Sequence, residues 1–152
     1  MDDHKIVAWS GYNNSGVAAI AIAATLEHCK SLSLSKALLV MPLAMHTSTI
    51  KYLAKGNIRS REIASLLAIR PDFVQNFNQR YHSSLVHSVN GIQLLNSLDI
   101  IKLDDGLHLQ RSLNINNSYG KRADLIAKAA LEISHLLKSS EVELYVNLRV
   151  QL

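Results

Sequence analysis

The side chains able to do chemistry are present but scattered. Seven histidines and one cysteine, Cys29, are spread over 152 residues. His82 and His87 lie five apart, which puts two imidazoles on different faces of a helix and suits no pair of metal ligands. Asp104 and Asp105 are adjacent carboxylates, but Gly106 follows them and a turn accounts for both. Ser10-Gly11 and Ser15-Gly16 do not fit G-x-S-x-G, the strained turn that bares a nucleophilic serine. The patterns G-x-x-x-x-G-K-[ST], G-x-G-x-x-G and H-E-x-x-H are all missing. Cys29 reads as a small buried hydrophobe. The expectation is a chain with no catalytic residues, no cofactor and no metal.

Charge offers one cluster. Between positions 51 and 80 lie Lys51, Lys55, Arg59, Arg61, Arg70 and Arg80, against only Glu62 and Asp72. The local excess of +4 equals the formal charge of the whole chain. Cations spaced this way either form a solvated face or contact phosphates, each contact releasing counterions. Lys51, Lys55, Arg59, Arg61 and Arg70 are the candidate residues for a DNA backbone. The stretch is not read as a single-strand stacking surface.

These residues need elements to hold them. Apolar residues make up 48% and charged residues 18% of the chain, a globular composition suited to one domain spanning 1–152. Aromatics are only 5%, so the core must be aliphatic and the chain mainly helical. The start, MDDHKIVAW, is acidic and lacks the pattern of a secretory signal. The most apolar stretch, Gly16 to Leu26, is about half the length of a membrane span. A single cysteine suits a reducing compartment. A cytoplasmic location away from membranes is expected.

Along the chain, 1–12 reads as an irregular lead-in. Residues 13–56 read as helical, opening at Asn13-Asn14-Ser15 with a segment from Val17 to Lys30 that is apolar on nearly all faces. After a polar link at Ser31–Ser35, Ser35 caps a helix that Pro42 kinks or ends near Met41. A short helix from Thr49 to Ala54 then stops at Gly56. Ser60 caps a helix over Arg61–Ile69, and Pro71 suits the first turn of the next. Phe73, Phe77 and Tyr81 share a face, continued by Leu85, Val89, Ile92 and Leu95. Ile100–Leu103 and Leu107–Leu109 flank Asp104-Asp105-Gly106, a hairpin signal. Three helices and a hairpin over 57–112 match the order of a winged helix, though an ordinary α+β hairpin would read the same. Residues 120–152 hold an amphipathic helix from Lys121 to Lys138 and a tail. The tail alternates like a strand but also carries a capping box, Ser140 with Glu143, and so suits a short helix equally.

The stretch LLVMPLAMHTSTIKYL resembles the "lvlPlvlhk-t-r-Lp" signature of the middle components of bacterial three-component ABC systems. Residues 60–85 are similar to that family's next block. VHSVNGIQLLNSLDIIKLDDGLHLQ and the ending LYVNLRV are similar to its later ones. Ala44-Met45 and Ile50-Lys51 depart from the pattern. The resemblance implies a non-catalytic accessory subunit, similar to the small C subunit of Lamassu-type defence systems. Such a subunit bridges an SMC-like or RecN-like ABC ATPase and an effector nuclease, with double-stranded DNA contacted through the complex. It also implies a mainly α fold (α+β) with a winged-helix-like portion, and a short helix for the tail. Leu43, Met45 and His46 after the proline, with Val17 and Ile20 on the apolar helix, are then candidate partner-interface residues, because apolar, methionine-containing surfaces suit protein contacts. The plainer alternative is that Pro42 ends a helix with core on both sides.

A second reading from a different class is a free-standing winged-helix DNA-binding regulator. Its recognition helix would be Leu85–Leu98, which holds no lysine or arginine, an unusual condition for a helix that enters a groove.

Overall fold

The computed structural model describes residues 3–56, 62–115 and 120–152, and for residues 3–13 the backbone alone. The protein is mainly helical with a small antiparallel sheet, as the apolar periodicity predicts. Arg59, Ser60 and Arg61 lie outside the described residues.

Helix α1, Asp3–Cys29, is the centre of the fold. Where the sequence suggests an irregular lead-in over 1–12, the backbone is helical from Asp3. No proline stands there to prevent it, and a glycine inside a helix costs only about 1 kcal/mol against alanine. From Ala18 to Leu26 every residue except Ile20 is buried. Such a helix has no polar face because neighbours surround it: α2 (Leu34–Ala44), α5 (Phe77–Ser97) and α6 (Lys121–Leu136) all pack on it. Thr25 lies fully buried there, its hydroxyl donating to the Ala21 carbonyl at 2.8 Å.

The polar link at 31–35 turns out to be structured. Lys30 adopts a left-handed conformation (φ 68°), and Ser31–Leu32 form strand β1. The expected hairpin forms from β2 (Ile101–Leu103) and β3 (Leu107–Leu109), with Leu103 opposite Leu107. Strand β1 adds antiparallel to the other edge of β3, giving the order β1-β3-β2. Gly106 (φ +126°) serves two purposes. It closes the turn, and a Cβ there would lie 2.9 Å from the Leu32 carbonyl oxygen, so only glycine lets β1 approach.

Ser33, not Ser35, caps α2, its hydroxyl accepting from the Lys36 backbone N–H at 3.3 Å. Pro42 does not end this helix, which continues to Ala44. The proline sits in the last turn, where it removes one intrahelical bond. Met41, Leu43 and Ala44 are all buried, and that burial outweighs the loss. Helix α3, Thr47–Ala54, follows and stops before Gly56 (φ +71°), as expected.

Helix α4, Ile63–Ile69, leads to a 3-10 turn, Pro71–Val74. Asn76, left-handed at φ 57°, then reorients the chain into α5. Phe73, Phe77 and Tyr81 are all buried, although this break separates the first from the others. Along the rest of α5 the buried face differs from the aliphatic stripe expected. Val89 is 43% exposed and Leu85 half-buried, while Ser84, Ser88, Gly91, Ile92 and Leu95 face inward. Small residues win these positions because α1 and α5 pass closely. A Cβ at Gly91 would lie 2.8 Å from the backbone nitrogen of Ala19.

Ile126, Ala129, Ala130 and Ile133 of α6, and Leu137 at its C-cap, are buried, the stripe that the apolar spacing predicts, and Ala123 extends it. The ambiguous tail is helix α7, Glu141–Asn147, with the Ser140 hydroxyl accepting from the Glu143 N–H at 3.2 Å. Leu144 within it and Leu148 at its C-cap, four apart and so on one helix face, are buried. Beyond it the chain returns to α5. The Gln151 N–H donates to the Asn78 side-chain oxygen at 2.8 Å, and the Gln151 carbonyl lies 2.6 Å from His82 Nε2. Among the described residues no helix is long and apolar enough to cross a membrane.

Candidate partner-binding site

Two of the described cations between 51 and 80 are held by the protein itself. Arg80 is structural: its guanidinium donates to the carbonyls of Gln75 (2.7 Å), Phe73 (3.1 Å) and Pro42 (3.3 Å) and lies over the Phe77 ring at 5.3 Å. It therefore ties α2 to the start of α5 and supplies a donor to the proline's carbonyl. Burial lowers its pKa, and a guanidinium remains charged regardless. Arg70 is neutralised by a two-point pair with Asp72, both contacts at 3.0 Å, and stacks 4.3 Å from the Phe73 ring centre and 5.1 Å from that of Tyr52. That bond raises the Arg70 pKa and holds the Asp72 carboxyl below its usual range. Lys51 and Lys55 are exposed and make no ion pair with a described residue.

Around Pro42 the structure divides the candidates. Leu43 is 3% exposed and belongs to the core, so its side chain has no surface to offer in this state. Met45 and His46 are half-buried. His46 occupies the N-cap position of α3, with no side-chain bond to the helix backbone. Its Nδ1 lies 2.7 Å from the hydroxyl of the buried Thr49, and its ring meets Phe73 edge-on at 6.4 Å. Burial, then the nearby Arg80 charge, lowers the His46 pKa below 6.5, with Asp72 acting weakly in the other direction. The folded chain thus binds fewer protons at this site than the unfolded chain. Stability is expected to fall as pH drops below about 6.5. His46→Asn should flatten that part of the profile, read as urea midpoints at about pH 7.5 and about pH 5.5. A midpoint difference identical in wild type and variant would assign the pH dependence elsewhere.

Met45, Val17 and Ile20, far apart in sequence, are brought to one region. Met45 lines a cleft of about 230 Å³ with Ala44, Ile50 and Leu125. Val17 and Ile20 line an adjoining one of about 180 Å³ with Ala123 and Ile126. Lys121 and Arg122, exposed in the first turn of α6, border both. This is an apolar surface with a basic rim, at the C-terminal end of α2.

A second apolar surface lies at the other end of α2, about 15 Å away along an eleven-residue helix. It is a groove of about 400 Å³ between α2, α5 and α7, walled by Leu34, Leu38, Tyr81, Val142, Tyr145 and Leu152. Tyr145 donates to the Ser35 carbonyl at 2.6 Å and sits 3.3 Å from the Tyr81 hydroxyl, the two rings edge to face. Burial and the Tyr81 contact hold the Tyr145 pKa above the ordinary phenol value, so it stays a donor. Glu141, at the rim, accepts a hydrogen bond from the Ser35 hydroxyl. Its rim is therefore acidic where the other is basic.

Sequence reasoning missed this groove. The signal for half of it was the capping box at Ser140. A helix beginning there, with Leu144 and Leu148 inward, turns Val142 and Val146 outward, and they are 73% and 68% exposed. Nothing local joins them to Leu34 or Tyr81. Among the described residues no cluster of histidine, cysteine and carboxylate side chains is arranged to hold a metal.

Compared with known protein families, residues 19–152 match the one described as ABC-three component (ABC-3C) system Middle Component 3. No curated protein and no solved structure matches the chain.

Proposed function

The chain belongs to the Middle Component 3 family of ABC-three component systems, and from that premise we propose that it is a non-catalytic bridging subunit. It binds an SMC-like or RecN-like ABC ATPase and links it to an effector nuclease, in a defence complex of the Lamassu kind that acts on phage or plasmid DNA. The observation that carries this reading is the pair of apolar surfaces at opposite ends of α2, one rimmed by Lys121 and Arg122, the other by Glu141. A bridge needs two docking sites, and opposite charge at their rims keeps the partners from exchanging places. On this reading Met45, His46, Val17 and Ile20 contribute to one interface, while Leu43 supports it from within the core. Lys51 and Lys55, with Arg59 and Arg61, are left to contact a DNA backbone inside the complex.

The second reading, a free-standing winged-helix regulator, is favoured by the element order. A helix, a strand, helices and two more strands, with β3 central in β1-β3-β2, is compatible with a winged helix. Against it, α5 would be the recognition helix, and its exposed residues from His82 to Leu98 include no lysine or arginine.

Co-expression with the two genomic neighbours separates the readings. Tagged chain should recover a large ATPase in fixed ratio, measured by light scattering of the eluate. Recovery of the chain alone as a stable dimer that binds duplex DNA would overturn the subunit reading in favour of the regulator.

A further inference from the structure

Resting on the subunit reading, we infer that the groove between α2, α5 and α7 receives a short apolar segment of a partner protein that carries a lysine or arginine beside its apolar side chains. The floor of the groove makes no polar demand on a ligand. The Tyr145 hydroxyl is committed to the Ser35 carbonyl, the Tyr81 hydroxyl to Tyr145, and the Ser35 hydroxyl to Glu141. What remains open is apolar: Leu34 is 53% exposed, Val142 73% and Leu152 94%. Its volume of about 400 Å³ falls in the range of small-molecule pockets. Yet three walls that are more than half exposed would leave a small ligand open to water. A stretch of chain lying across the groove covers them, and Val146, one turn beyond Val142 and 68% exposed, extends the contact along α7.

Charge selects the occupant. Glu141 is the one acidic residue lining the groove, and it makes no ion pair among the described residues. Hydrogen bonds from Ser35 and then Ser33 keep its carboxyl below the usual range, so the rim stays anionic. Lys36 favours the charged form and, with Lys138 and Cys29, lines a second cleft that Glu141 also borders, but neither lysine closes an ion pair with it. A cation on the partner, desolvated against apolar neighbours, completes this carboxylate. A second copy of this chain fits poorly: a two-fold contact through the groove would bring two Glu141 carboxylates together. Duplex DNA fits worse, since its phosphates carry the same sign.

The test uses the reconstituted complex with the two other subunits, and affinities measured for each binary pair. Val142→Asp is expected to weaken one pair about a hundredfold and leave the other unchanged. Glu141→Lys should weaken the same pair at least about tenfold, and Glu141→Gln should flatten its salt dependence. Val86→Asp, on the exposed side of α5, is the control and should change neither. Val142 and Val86 are exposed, so those melting curves should coincide with wild type, with Val142→Ala as a milder variant if they do not. The Glu141 variants also lose the Ser35 hydrogen bond, and their affinities are compared at temperatures where each is fully folded. Wild-type affinity in both groove variants would overturn the proposal while the subunit reading stood, because the complex had formed. A dimer of this chain that Val142→Asp dissociates would assign the groove to a second copy and overturn it too. Failure of the wild-type chain to bind either subunit would sink the subunit reading, and the groove's partner with it.

Discussion

Arg80→Ala is expected to lower stability by about 3 kcal/mol, although in the sequence Arg80 is one more cation of a stretch that reads either as a solvated face or as a phosphate contact. Hydrogen bonds to a charged donor contribute roughly 1.5–3 kcal/mol each. Arg80 makes three, to the carbonyls of Pro42, Phe73 and Gln75, and covers the Phe77 ring. Its side chain is half-buried, so solvent screens part of the total, and about 3 kcal/mol for all three is the discounted figure. In a domain of this length that lowers the melting temperature by roughly 6–12 °C. Lysine should not rescue it, because a single ammonium cannot reach three carbonyls that a planar guanidinium spans. An Arg80→Ala variant that melts with wild type but binds DNA more weakly would return Arg80 to the phosphate patch.

Gly91→Val should be at least as damaging, by about 3 kcal/mol, and for a reason no surface view reveals. A Cβ at Gly91 would stand 2.8 Å from the Ala19 nitrogen and 3.1 Å from both the Ala18 Cβ and the Ser15 carbonyl. Two of these three are backbone atoms of α1, which no rotamer change can move, so the helices must separate and open the core on both sides. Gly91→Ala is the measurable fallback if the valine variant does not fold. Its gain of about 1 kcal/mol in helix propensity offsets only part of the clash. Gly16→Ala supplies the opposite sign: nothing lies within 4 Å of its added Cβ, and the substitution should stabilise by about 0.5–1 kcal/mol. Urea unfolding of the three variants would show the contrast, and equal midpoints for Gly91→Val and wild type would mean that α1 and α5 do not approach as described.

Both substitutions act through α5, Arg80 at its joint with α2 and Gly91 at its contact with α1. Arg80 and Pro42 join α5 to α2, and the two ends of α2 carry the two apolar surfaces. Loss of that joint should weaken both subunit contacts together. Val142→Asp should weaken only one, which separates a folding defect from an interface defect in the same assay.

Much of the architecture was decided by the sequence alone, because it depends on neighbours within a turn or two. The apolar run after Val17 demands a surrounded helix. Asp105-Gly106 demands a turn between strands. The tail, where alternation and the Ser140–Glu143 capping box compete, stays open until the structure shows α7. The stripe on α6 and the burial of Phe73, Phe77 and Tyr81 follow from the same local spacing. What only the tertiary structure decided are matters of distance along the chain. A two-residue strand has no periodicity of its own, so β1 exists only because β3 is there to pair with it. Pro42 stays helical because its neighbours are buried by elements that local spacing does not place. Whether an arginine is free for phosphate or spent on carbonyls depends on partners up to 38 residues away. The inward face of α5 went to serine and glycine because α1 passes close, a constraint written in α1. The candidate groove is the extreme case: Glu141 meets Ser35 across 106 residues, and no window of sequence contains both.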